Sequence, residues 1–64
     1  MKLEITEKET KWVQECCGDY QCALLLPNGK YQGFEENHEG RREFIDGEFD
    51  TPEKAIDTVT SLFS

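Results

Sequence analysis

Apolar residues in this chain never run beyond the five of CALLL, residues 22–26. That is far short of the roughly 20 a membrane-crossing helix needs. MKLEITEKET carries charge with no apolar run behind it, so no signal peptide is expected. Basic residues are scarce too: seven Lys and Arg stand against fourteen Asp and Glu, a formal net charge of −7. Phosphate backbones reward Lys and Arg through counterion release, and anionic lipid surfaces do the same. Nucleic acid and membrane are therefore poor partners, and a basic protein surface is the natural one. There is no glycine-rich phosphate loop, because glycines 18, 29, 33, 40 and 47 are scattered, each where a turn or close packing explains it.

Length is also in short supply. Sixty-four residues make one domain, 1–64, and a chain that short buries only about 60% of the surface its unfolded form exposes. Little volume remains for a deep substrate pocket. A marginal core gains from burying more apolar surface, which makes a homodimer a reasonable expectation. Nothing in the chain asks for a cofactor, and no carboxylate stands out as a buried general acid.

Three cysteines sit within ECCGDYQC, residues 15–22, and the single histidine is His38. An odd number of thiols without a secretory signal points to a reducing, cytoplasmic setting. Cys16, Cys17 and Cys22 follow a Cys-Cys-x4-Cys pattern rather than the paired Cys-x2-Cys spacing of zinc sites, and His38 lies well downstream. A small thiol or zinc protein using these four residues is one alternative. The better reading makes the cysteines small core hydrophobes. Asp46, Glu48 and Asp50 have the spacing that opens a calcium loop, but Thr51 replaces the glycine, Pro52 follows, and Asp57 stands where glutamate belongs.

Met1 to Thr6 alternates and reads as a short strand. In residues 6–18, Trp12-Val13 and Cys16-Cys17 are apolar pairs at helical spacing. Thr6 and Glu9 have capping-box spacing, Glu7 precedes Lys11 by four, and Gly18 stands where a helix would end. These signs favour a helix, against the extended preferences of Ile5, Thr6, Thr10 and Val13. Tyr20 to Leu26 reads as a buried strand that turns at Pro27-Asn28-Gly29 into a return strand, Lys30 to Glu36. Asn37 to Arg42 is a polar loop, and Glu43 to Phe49 a further strand. Thr51, Pro52 and Glu53 open an amphipathic helix whose stripe is Ala55, Ile56, Val59, Leu62 and Phe63.

The expected fold is α+β: a three- to four-stranded antiparallel meander packed by the C-terminal helix, with an added N-terminal helix (β-α-β-β-β-α; the fallback is β-β-β-β-α). The helix–three strands–helix order resembles the topology of double-stranded-RNA-binding domains. Those domains grip phosphates with a basic start to the last helix, whereas TPEKAID offers only Lys54 between Glu53 and Asp57. The resemblance therefore does not carry the function with it.

Charge is the most informative feature left. Residues 35–50 hold seven acids against Arg41 and Arg42, which concentrates five of the seven net negative charges there. Glu35, Glu36, Glu39, Glu43, Asp46 and Glu48 are the candidate partner-binding face. A concentrated acidic face speeds capture of a basic partner and can imitate a phosphate array. The expected function is a non-enzymatic interaction module, one that occludes a basic, nucleic-acid-binding surface of a larger protein. Phage-encoded inhibitors and anti-defence proteins offer an analogy of size and charge. The alternative is nucleic-acid binding through Arg41, Arg42, Lys30 and Tyr31.

Overall fold

The computed structural model describes residues 2–6, 9–16 and 18–63. Met1 of the expected first strand, Glu7 of the expected helical charge pair and Cys17 of the thiol set lie outside the described residues. Over the described residues the chain forms an antiparallel sheet of five strands in strict sequence order, followed by one helix. The strands are β1 (Lys2–Ile5), β2 (Thr10–Cys16), β3 (Asp19–Leu25), β4 (Tyr31–Glu36) and β5 (Arg42–Phe44), and the helix is α1 (Pro52–Phe63). This is a small α+β domain, as its sequence implies. Among the described residues no helix is long and apolar enough to cross a membrane.

The expected N-terminal helix is a strand. Trp12 faces Ala23 across the β2–β3 pair, while the next residue, Val13, faces Cys22. Neighbouring strand residues point to opposite sides, so the apolar pair serves two faces rather than one helical stripe. Thr6 and Glu9 close a hairpin instead of capping a helix. The Thr6 amide donates to the Glu9 carbonyl at 2.9 Å, and the Glu9 amide donates to Thr6 Oγ1 at 3.1 Å. The sheet thus has one strand more than the largest number expected, and the likeness to double-stranded-RNA-binding topology disappears with the helix.

Two further hairpins use one device. The Leu26 amide donates to the Lys30 carbonyl, and the Asn37 amide to the Arg41 carbonyl. Gly29 and Gly40 supply the positive φ, 84° and 86°, that each short loop requires. Asn37 reinforces its own turn by accepting, through Oδ1, from the amides of Glu39 and Arg41 at 3.0 and 2.9 Å. The expected strand over Glu43–Phe49 is interrupted: β5 ends at Phe44, and Phe49 returns to bridge Tyr31.

Thr51 caps α1 as expected, its Oγ1 accepting from the Lys54 amide at 3.2 Å. The helix lies across β3 and β4 and reaches β2 at its margin. On that side of the sheet Leu3, Trp12, Ala23 and Gly33 form one cross-strand row. Ala23 packs with Ala55 and Ile56, ringed by Trp12, Tyr31 and Phe49. The helical stripe is only partly used, since Leu62 remains 64% exposed.

The opposite side carries Val13, Cys22, Phe34 and Phe44 in a row. Among the described residues no helix covers it, yet Cys22 and Phe34 are fully buried. Arg42 lies 4.8 Å from the centre of the Phe34 ring, and the Phe44 ring tilts against Phe34 at 4.9 Å. Charged and aromatic side chains do here what a second helix would otherwise do.

Gly33 sets how closely α1 approaches the sheet. A Cβ there would stand 2.7 Å from Val59 Cγ2 and 3.0 Å from Ile45 Cδ1. Gly33→Ala is therefore expected to lose about 1–3 kcal/mol through overpacking, read as a lower urea midpoint with little change in slope.

Candidate functional site

Strand alternation divides the acidic segment before any tertiary contact is considered. Glu35 lies on the helix side of β4 with Gly33, and Glu36 on the other side with Phe34. The six candidate acids accordingly do not form one face.

On the helix side, Glu35 stands directly opposite Glu43 of β5 and opposite Gln21 of β3. Burial pushes the Glu35 carboxyl above its ordinary range, and the charges of Asp19 and Glu43 push it the same way. Like charges facing across a strand pair are destabilising. Beside them Gln21 is only 4% exposed. Its Nε2 donates to the Cys16 carbonyl at 3.5 Å, while its Oε1 has no partner among the described residues. Asn37, Arg41 and Arg42 line the same shallow hollow as Glu35 and Glu43.

On the other side, Glu36 is committed to holding the fold. The Arg42 guanidinium grips Glu9 with both terminal nitrogens, Nη1 to Oε2 at 3.0 Å and Nη2 to Oε1 at 2.5 Å. Its Nε donates to Glu36 Oε1 at 2.7 Å. Lys11, only 7% exposed, places its Nζ 3.6–3.9 Å from Glu4, Glu9 and Glu36. Hydrogen bonding to Arg42 is the chief cause that holds the Glu9 carboxyl below its ordinary value. This network was not foreseen in the sequence. Lys11 would have been the clue, as the one cation inside an otherwise semi-buried strand.

The remaining candidates are dispersed. Glu39 is exposed in the β4–β5 turn, 3.9 Å from His38 Nε2. Asp46 is exposed in the loop after Ile45. Glu48 accepts from Asn28 Nδ2 at 3.0 Å, at the end of the sheet where Lys30 pairs with Asp50. Asp19 joins Glu35 and Glu43 without having been singled out. Its place follows once the turn at residues 27–29 fixes the β3–β4 register.

Among the described residues the other expected constellations are not brought together. Lys30 immediately precedes β4 and Tyr31 opens it, whereas Arg41 and Arg42 follow its far end. Tyr31 lies edge-on to Trp12, ring centres 5.2 Å apart. Cys16 lies on the helix side of the sheet and Cys22 on the other. Burial pushes the Cys22 thiol up to about 11, the reverse of what a nucleophile or metal ligand requires. Among the described residues no group of three or more His, Cys, Asp or Glu could hold a metal ion.

Comparison with protein-family models, with curated proteins and with solved structures finds no match for this chain.

Two outcomes follow from this geometry. Glu9 has a depressed pKa, so its contribution is complete above the unfolded value of 4.5 and is lost as pH falls through the folded one. Arg42→Met is expected to lower stability by about 2 kcal/mol at pH 7. That deficit should shrink between pH 5 and pH 3, as followed by urea denaturation across pH. Cys22 is expected to resist iodoacetamide at pH 7.5 in the folded protein and to react fully in urea, which peptide mass spectrometry would show.

Proposed function

We propose that the chain is a non-enzymatic module that binds a basic protein surface, with Glu35, Glu43 and Asp19 as the centre of its contact. The carrying observation is the facing pair Glu35–Glu43. Folding alone disfavours two carboxylates at that spacing, and burial and the neighbouring acids already raise the Glu35 pKa. Groups that disagree with local stability are where binding function concentrates. A Lys or Arg from a partner would relieve the repulsion and give the half-buried Glu35 and the exposed Glu43 charge-assisted hydrogen bonds.

The overall charge supports the same reading. Lys11, Arg42 and Lys30 are engaged by carboxylates of the chain itself. Glu39, Asp46 and Glu48 remain exposed and extend the negative field towards a cationic partner. Occlusion of a nucleic-acid-binding surface fits this chemistry, because such surfaces present Lys and Arg in arrays. A cytoplasmic location accords with the free Cys22 thiol.

The test uses the conflict between stability and binding. Glu35 has a raised pKa, so its unfavourable contribution grows as pH rises through the folded value and vanishes below 4.5. Glu35→Gln is therefore expected to raise stability at pH 7 by a few tenths of a kcal/mol to about 1 kcal/mol. No gain is expected at pH 3. The same variant combined with Glu43→Gln should weaken binding of a fluorescent Lys/Arg-rich peptide and flatten its salt dependence in anisotropy titrations. Unchanged peptide affinity in the double variant would overturn the reading.

A further inference from the structure

Strand β1 forms one margin of the sheet and, among the described residues, pairs only with β2. Helix α1 covers β3 and β4, not β1. Leu3 and Ile5, on the helix side of β1, are left 47% and 73% exposed. Neither proline nor a bulge interrupts the strand, Lys2–Ile5, whose edge is guarded only by its shortness and the charges of Lys2 and Glu4.

The hydrogen-bond phase of β1 follows from its turn. The Thr6 amide donates to the Glu9 carbonyl, and Thr6 continues the register in which Ile5 faces Thr10. Bonded and non-bonded pairs alternate in an antiparallel ladder. Glu4 and Lys2 therefore bond inward to Lys11 and Val13, and Leu3 and Ile5 turn their backbone N–H and C=O outward.

An outward-facing Leu3 can exchange both backbone bonds with Leu3 of a second, antiparallel copy. In that register Lys2 of each chain faces Glu4 of the other on the side of the sheet away from α1. The two Leu3 side chains meet on the helix side. Registers centred on Lys2 or Glu4 would instead oppose like charges on the axis, which is unfavourable. A register centred on Ile5 would carry the partner beyond the strand and lose the Lys2–Glu4 pairs. Charge complementarity thus selects one register.

We propose that two copies of this chain associate through β1, antiparallel about a two-fold axis at Leu3, with Lys2 of each copy facing the partner's Glu4. Such a contact is isologous and joins the two sheets into one. It buries far less than the roughly 1,200–2,000 Å² of a stable complex, so the dimer is weak and concentration-dependent. The proposal does not rest on the Glu35–Glu43 reading, whose residues lie at the other end of the strand order.

Sedimentation equilibrium from micromolar to millimolar protein is the test, with thermal unfolding of each variant to verify folding. The parent chain is expected to shift from monomer to dimer and no further. Lys2→Glu puts carboxylates opposite one another twice and should weaken the dimer by about tenfold or more. Adding Glu4→Lys to Lys2→Glu reverses both partners of each pair and should restore association. A parent chain monomeric throughout, a dimer indifferent to Lys2→Glu, growth beyond two copies, or a double variant that fails to recover would each overturn the proposal.

Discussion

The fold depends on how its helix-free side is sealed. A single helix of twelve residues can cover one side of a five-stranded sheet, and the other would leave Phe34 and Cys22 wet. The Arg42 fork solves this by joining distant corners. Glu9 precedes β2, whereas Arg42 opens β5, aligned through Glu36 and Tyr20 with Glu15. In a flat sheet the offset from Glu9 to Glu15 alone would be roughly 20 Å along the strands, with three further strand spacings across. Side chains do not span that distance, so the sheet must coil until the corners meet. Arg42, diagonal to Phe34 in the β4–β5 ladder, lies over its ring, and coiling adds Glu36 to the Glu4 and Glu9 that already flank Lys11. The ion pairs, the aromatic cover and the curvature form one arrangement.

That dependence makes the charged groups unequal. Glu9 and Glu36 both pair with the buried Lys11 and with Arg42, and losing either would weaken the pairing of both cations. Glu35 and Glu43 are the opposite case, because among the described residues no ion pair engages either of them. The chain thus spends part of its acidity on closure and leaves another part in conflict. A count of acids along the sequence cannot separate these roles, since Glu35 and Glu36 are adjacent and alike in type. Only the side of the strand on which each falls distinguishes them.

Legibility followed how local each determinant is. Helix α1 was readable because Thr51, Pro52 and the stripe from Ala55 to Val59 act within a few residues. The turn at Pro27-Asn28-Gly29 was readable for the same reason. Strand β2 was not: it half-buries residues on both sides, and such strands lose the alternation that identifies them. Trp12-Val13 then imitates a helical stripe, and the Thr6–Glu9 spacing serves a hairpin as readily as a capping box. The Arg42–Glu9 bond was beyond reach because its partners are 33 residues apart and their meeting requires the coil. Asp19 was more accessible, since each hairpin turn fixes the register of its own pair.

The meander has a kinetic consequence. Every pairing in the sheet joins consecutive strands, so each asks only for closure of a short loop, an inexpensive event for a flexible chain. Chains dominated by near-neighbour pairings generally cross their folding barrier faster than those built on distant ones. The sheet can assemble one hairpin at a time, from any turn outward. Docking of α1 and the corner-to-corner grip of Arg42 on Glu9 are the long-distance steps that remain, and they convert a zippered ribbon into a closed domain.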